Sequence, residues 1–227
     1  MSRMGTLYLV RHGQASFGAD DYDQLSDLGR KQSVRLGEYF GGKNIHFDGL
    51  IAGTLRRHKQ TLEGILEGMN RTGSEHLSWD GLNEYDSQAV IASIYPHKLE
   101  KPTSPEMYRH HFRLLRDGLA QWMAGVVSPK GMPSYLDFVA GVARALDHVR
   151  ANHYGKNVLI VTSGGPIATA LGHVLGTSPE STIDLNMRIR NSSITEFAFT
   201  PKRHMLVCFN AISHLEHGDY GQWVTYS

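Results

Sequence analysis

Three short apolar runs, residues 6–10, 48–52 and 157–161, are each followed by a polar loop containing glycine and then by a helical pattern. Short runs of this kind, rich in Leu, Val and Ile and without polar alternation, are expected of strands buried on both faces. After the first run, Ser26 is placed to cap a helix with Leu28, Leu36, Tyr39 and Phe40 on one face, ending at Gly41-Gly42. After the second, Leu55, His58, Leu62, Ile65, Leu66 and Met69 form one helical stripe. Phe138, Val142, Leu146 and Val149 mark a further helix, stopped near Gly155. The third run passes through Thr162-Ser163-Gly164-Gly165 into a helix with Pro166 expected at its first position and Gly176 just past its end. Residues 193–200 and 204–210 alternate apolar and polar side chains, predicting two strands paired across Pro201-Lys202-Arg203. This alternation predicts an α/β fold with a mostly parallel central sheet flanked by helices on both faces. Residues 85–135 fit the pattern poorly and predict a helical insertion, a lid or a substrate wall. No repeat or linker divides the chain, so residues 1–227 are expected to form a single domain.

Composition narrows the functions open to such a fold. A chain of 227 residues buries roughly 70% of its unfolded surface and needs no metal or disulfide staple. With 23 Lys and Arg against 22 Asp and Glu, there is no strongly basic surface for nucleic acid. The one cysteine, Cys208, closes no internal disulfide, which suits a reducing, cytoplasmic setting. No signal peptide is evident before the first strand. The most apolar stretch, residues 158–176, is broken by Ser163, Pro166 and His173, so no membrane association is expected.

Ligands of open α/β sheets bind beyond the carboxyl ends of the strands, which restricts where chemistry should be sought. Beyond the first run lies Arg11-His12-Gly13-Gln14. Beyond the second lies 53–61, with Arg56-Arg57-His58-Lys59, and beyond the third Thr162-Ser163-Gly164-Gly165. Guanidinium groups and helix amino termini together favour a multivalent anion such as phosphate. Gly13, Gly164 and Gly165 would let the backbone approach that ligand. Adjacent helical residues do not share a face, so one of Arg56 and Arg57 must point away. His58 falls on the apolar side, beside Leu55 and Leu62.

Leu9-Val10-Arg11-His12-Gly13 resembles the signature of the histidine phosphatase superfamily in its phosphoglycerate-mutase-like branch. The likeness continues, in the family's order, through 25–32, Leu55-x-Arg57-x-x-Gln60-Thr61, Leu82-Asn83-Glu84, 161–165 and 191–195. It covers residues 6 to about 200 and leaves only the 85–135 insertion unmatched. The resemblance implies that His12 is a nucleophile that is transiently phosphorylated. It also implies that Arg11 and Arg57 clamp the phosphoryl oxygens and that Glu84 protonates the leaving oxygen. The implied activity is a phosphomonoesterase acting on a small phosphorylated substrate, with no cofactor and no metal. Neutral imidazole beside two guanidinium groups and a carboxyl facing a dianion suit those roles electrostatically.

Two departures bear on that expectation. Relatives place a second histidine, which donates to the phosphoryl group, where this chain has Ser163, and they place an asparagine where this chain has Gly18. Loss of one transition-state donor typically costs about 10²–10³ in turnover. Restoring it by Ser163→His is therefore expected to raise activity. Ser163 and Gly164 remain expected phosphate contacts. Of the other histidines, His214 is the candidate replacement cation, whereas His173 lies too far along its helix. His110-His111 and His214-x-x-His217 lack the spacing of a zinc site. The competing reading is a weakly active or inactive member that binds inorganic phosphate, another phosphorylated ligand or a protein. A phosphoglycerate-type mutase is disfavoured because the extended mutase motifs do not follow Glu84. Tyr85, Tyr95, Tyr108, His110 and Trp122 of the insertion are candidates for specificity or packing, and the closing strands offer an edge for a homodimer.

Overall fold

The structure, a computed structural model, describes residues 4–16, 23–71, 73–97, 99–100 and 102–226. Among the described residues, six strands form one sheet: β1 (Gly5–Arg11), β2 (Gly49–Ala52), β3 (Leu77–Ser78), β4 (Asn157–Thr162), β5 (Ile194–Phe199) and β6 (His204–Ala211). Their order is β3-β2-β4-β1-β5-β6. The first four run parallel, while β5 and β6 close the sheet antiparallel to β1 and to each other. The mixed but mostly parallel sheet agrees with the fold class read from the alternation.

The described helices are α1 (Asp27–Gly42), α2 (Arg56–Gly68), α3 (Ser87–Ile94), α4 (Pro105–Met123), α5 (Tyr135–Asn152), α6 (Gly164–Leu175) and α7 (Pro179–Asn186). Successive strand residues feed opposite layers because side chains alternate across a sheet. Leu7, Leu9, Val158 and Ile160 pack with Val142, Leu146 and Val149 of α5 and Ile167 and Leu171 of α6. Val10, Leu159 and Val161 pack with Leu36 and Phe40 of α1 and Leu62 and Ile65 of α2. Each fully buried Leu, Ile, Val or Phe contributes about 1.5–3 kcal/mol of transfer free energy, so both layers are needed to hold the strand ends in register.

The local signals act largely as expected. Ser26 Oγ accepts from the Gly29 N–H at 3.0 Å. Gly176 takes a left-handed φ of 68° and its N–H closes α6 on Gly172. Pro166 is the exception. It is the third residue of α6 rather than the first, a position whose N–H also lacks an intrahelical acceptor, so proline is tolerated there.

Among its described residues, the 85–135 region carries the two helices α3 and α4. α3 and α4 build a separate apolar cluster in which Val90, Leu119 and Trp122 meet Phe138 of α5 and Ile183 of α7. Trp122 is buried, with its Nε1–H donating to the Pro133 carbonyl at 3.1 Å. Tyr85 packs against this cluster, whereas Tyr108 and Phe112 are exposed on α4. Among the described residues, no helix is long and apolar enough to cross a membrane.

Candidate active site

Parallel registers that pair Arg11 with Thr162 and Ala52 with Val161 end three strands side by side. Their continuations therefore share one crevice. β1 delivers Arg11 and His12, β2 turns through Gly53 into α2 with Arg57 and His58, and β4 delivers Ser163 and the start of α6. A fourth segment is tied in by side chains. Asn83 accepts from the Thr54 N–H at 2.8 Å and donates to Thr54 Oγ1 at 2.6 Å, and the Thr162 hydroxyl donates to the Leu82 carbonyl at 2.5 Å. These bonds bring Glu84 to the crevice.

The loop after β1 is held by its own backbone groups. The His12 N–H donates to the Thr162 carbonyl at 2.8 Å, the Gly13 N–H to Thr61 Oγ1 at 3.0 Å and the Gln14 N–H to Gln32 Oε1 at 2.8 Å. Asn191 Nδ2 donates to the His12 carbonyl at 3.1 Å. Buried N–H and C=O groups left unpaired would each cost about 1–3 kcal/mol, so these partners fix the loop. Gly13 serves a different end from the one expected. A Cβ there would meet the Gly29 carbonyl oxygen at 2.4 Å, so glycine admits the start of α1 rather than a ligand.

His12 is only 2% exposed. Its Nδ1 lies 2.7 Å from the Gly13 carbonyl, which assigns the proton to Nδ1 and leaves the lone pair on Nε2. The Arg57 Nε–H donates to that nitrogen at 3.2 Å. Burial first, and then the charges of Arg11 and Arg57, push the His12 pKa well below its ordinary value, so the ring is neutral at neutral pH. Arg57 Nη1 pairs with Asp23 at 2.8 Å, and Asp23 also accepts from the Arg56 N–H at 2.9 Å. One carboxylate thus aims Arg57 and caps α2. Arg57 is buried while Arg56 and Lys59 face solvent, as neighbours on a helix must diverge. Arg11 Nη1 donates to the carbonyls of Ile189 and Tyr226.

Glu84 accepts from the Gly165 N–H at 3.1 Å and from the Tyr85 N–H at 3.2 Å. Burial raises its pKa, against the lowering effect of the Gly165 N–H, Arg11, Arg57 and the Tyr85 N–H. A Cβ on Gly165 would stand 2.2 Å from Glu84 Oε1, so the second glycine makes room for this carboxyl rather than for a ligand. Gly164 is the first residue of α6, directly after the N-cap Ser163.

Ser163 does not stand alone. Its Oγ lies 2.7 Å from Nε2 of His58, which is fully buried and whose ring centroid is 5.7 Å from that of His12. Sequence reasoning placed His58 on the apolar stripe of α2 and missed this contact, as it missed Asp23. The available signal was a histidine directly after Arg57 on an otherwise apolar face. His214 is not the replacement cation. Its Nε2 bonds to Ser192 Oγ at 2.8 Å, its ring faces Tyr39, and burial lowers its pKa to about 3, leaving it neutral. His173 is exposed in the last turn of α6. Gly18, the second departure from the family pattern, lies outside the described residues. Among the described residues, no three His, Cys, Asp or Glu side chains gather as a metal site requires.

A neutral imidazole, two guanidinium groups and a carboxyl of raised pKa in one crevice suit phosphoryl chemistry, which depends on positioning and charge neutralisation. Comparison with known proteins points the same way. Residues 7–212 match the histidine phosphatase superfamily (branch 1). A mitochondrial serine/threonine-protein phosphatase of Caenorhabditis briggsae is 29% identical over 112 residues, covering 48% of this chain and 36% of the relative. A 2,3-bisphosphoglycerate-dependent phosphoglycerate mutase of Allorhizobium ampelinum is 35% identical over 89 residues, covering 36% of this chain and 42% of the relative. Such matches span well under half of those relatives' lengths. Among solved structures, a phosphoglycerate mutase of Bacillus anthracis superposes with a TM-score of 0.66 at 20% identity, covering 94% of this chain and 96% of the other. A mycobacterial glucosyl-3-phosphoglycerate phosphatase gives 0.66 at 22% identity, covering 92% and 100%. These likenesses establish a phosphoglycerate-mutase-like fold.

Proposed function

The chain belongs to the histidine phosphatase superfamily, branch 1, and from that premise we propose that it is a phosphomonoesterase working through a phosphohistidine on His12. The observation that carries the reading is the neutral His12 ring, its Nδ1 proton held by the Gly13 carbonyl and its Nε2 lone pair aimed at Arg57. An arriving phosphoryl group draws the Arg57 donor from Nε2 to its own oxygens and exposes the lone pair. Nε2 then attacks phosphorus, and the P–O bond to the leaving group breaks with its electron pair on oxygen. Glu84 supplies the proton that makes the departing group an alcohol. In the second half, water attacks phosphorus, the Glu84 carboxylate takes its proton, and the P–N bond returns its pair to His12. The net change is a phosphomonoester plus water to an alcohol plus inorganic phosphate. Arg11, Arg57, Ser163 and the Gly164 N–H hold the phosphoryl oxygens throughout.

Hydrolysis of p-nitrophenyl phosphate by the parent and by His12→Ala tests the reading. The parent is expected to turn over and the variant to fall at least about 10³-fold, the scale of removing a nucleophile. Equal rates would instead support the binding-module alternative. Glu84→Gln separates the acid from the clamp. General acid catalysis contributes about 10²–10⁴-fold, so in kcat/KM, which reports the phosphorylation half alone, an alkyl phosphate should lose at least about 100-fold and p-nitrophenyl phosphate, whose leaving group needs no proton, much less. With a raised pKa, Glu84 stays protonated further up the pH scale. Parent kcat/KM for the alkyl substrate should fall as pH rises through that value, and the fall should vanish in Glu84→Gln.

A further inference from the structure

Ser163 occupies the N-cap position of α6, where a serine hydroxyl ordinarily accepts from an N–H of the first turn. Here it makes no such bond. Glu84 takes the Gly165 N–H instead, and Ser163 Oγ turns to Nε2 of His58 at 2.7 Å. The other end of the imidazole defines its tautomer. His58 Nδ1 is buried with no hydrogen-bond partner among the described residues. It lies over Gly53, where a Cβ would come within 2.1 Å of it. An orphaned buried N–H is rarer than an under-used acceptor. The proton therefore belongs on Nε2, which donates to Ser163 Oγ. That leaves the hydroxyl hydrogen of Ser163 free for another acceptor. The pair lies beside His12, whose ring is 5.7 Å from that of His58, and beside Arg57, the residue preceding His58 in the chain.

We propose that His58 is a positioning residue that acts through Ser163. Its Nε2–H fixes the serine oxygen so that Oγ–H donates to a phosphoryl oxygen during transfer to and from His12. No proton changes hands in this contact; it only stabilises charge on the non-bridging oxygen. The inference rests on the phosphomonoesterase reading and deepens it. The histidine that relatives place at the end of β4 is here supplied from the first turn of α2, with serine as the intermediary. The residue at 163 is thus half of a rewired donor rather than a vacancy. The expectation that Ser163→His alone raises turnover is thereby reversed, because the new imidazole must compete with His58 for one place.

The test is kcat and KM on p-nitrophenyl phosphate, with melting temperature, for the parent, His12→Ala, His58→Leu, His58→Gln, Ser163→Ala, Ser163→His and the double variants His58→Leu/Ser163→Ala and His58→Ala/Ser163→His. His58→Leu fills the space without a donor and should lose about 100-fold in kcat, by analogy with removal of one transition-state donor. Ser163→Ala should lose a similar factor, and combining the two should cost little more than either alone. His58→Gln, which keeps an N–H at similar reach, should recover part of the rate. Ser163→His should fall below the parent, and adding His58→Ala should raise it again. A folded His58→Leu within threefold of the parent, or losses that multiply in the double variant, would overturn the proposal. If His58→Leu does not fold, Ser163→Ala decides, since it removes only one oxygen: no loss in kcat overturns the pairing. A parent no faster than His12→Ala would defeat the phosphatase reading instead. Inorganic phosphate binding by calorimetry then decides the pair, with equal weakening in His58→Leu and Ser163→Ala supporting it and unchanged affinity rejecting it.

Discussion

Around His12, polar side chains from four separated segments hold backbone groups. Gln32, Thr61, Thr162 and Asn191 each serve the loop after β1 or the segment before Glu84. In the α3–α4 insertion, by contrast, the work is done by apolar contact. Trp122, Leu119 and Val90 pack as a satellite core, while Tyr108 and Phe112 are left facing solvent. The first arrangement specifies geometry, because directional bonds tolerate little displacement. The second supplies adhesion and leaves its outer surface free to vary. In this family member the His12 crevice and the α3–α4 insertion are thus built by different forces.

The contrast can be broken first with acid. His12, His58 and His214 are buried and neutral, the last two with pKa values lowered to about 3. The unfolded chain protonates them below about pH 6.5 while the folded chain does not. Stability is therefore full above that pH and lost as pH falls. Together the three should remove up to about 4 kcal/mol per pH unit, at about 1.4 kcal/mol each. Burial raises the pKa of Glu84 and Glu196, which opposes the histidine slope only between the ordinary carboxylate range and those raised values; below that range the histidines act alone. Urea unfolding at pH 7, 6 and 5 checks the sign; a flat response would mean these rings are protonated in the folded state.

The insertion is probed next. Trp122→Ala should cost about 3–5 kcal/mol where it packs. The loop after β1 does not rest on that cluster, but Tyr85, whose N–H donates to Glu84, does, so kcat/KM for p-nitrophenyl phosphate, which needs no proton from Glu84, should change only a few-fold while an alkyl phosphate loses more. A collapse of kcat to the His12→Ala level in a folded Trp122→Ala protein would show that the two regions are one unit. The smallest effect is expected at Phe112, exposed on α4. Phe112→Ser should stay within about 0.5 kcal/mol in stability, and any kinetic change should appear in KM for a bulky substrate rather than in kcat.

Much of the fold was legible because its signals are local. Buried strands, the Ser26 cap and the Gly176 terminus can be read from neighbouring residues alone. Arg11, His12, Arg57 and Glu84 were legible as a set through the family likeness and the strand-end rule. What failed to show was contact across distance. His58 and Ser163 are separated by 105 positions, and only the β2–β4 register brings them together, so one was read as an apolar-face residue and the other as a neutral phosphate contact standing in a histidine's place. Gly13 and Gly165 were recognised as close approaches, but what approaches is Gly29 and Glu84, which no local pattern reveals. Asp23 carried no signal because its role depends on where α2 begins in space.

The most direct measurement is rapid acid and base quenching of the parent during turnover of a phosphomonoester labelled with ³²P, followed by mapping of the labelled peptide. The account predicts label that survives base, is lost in acid and resides on His12. It would be contradicted by acid-stable label on Ser163, or by full turnover in which His12 never carries phosphate.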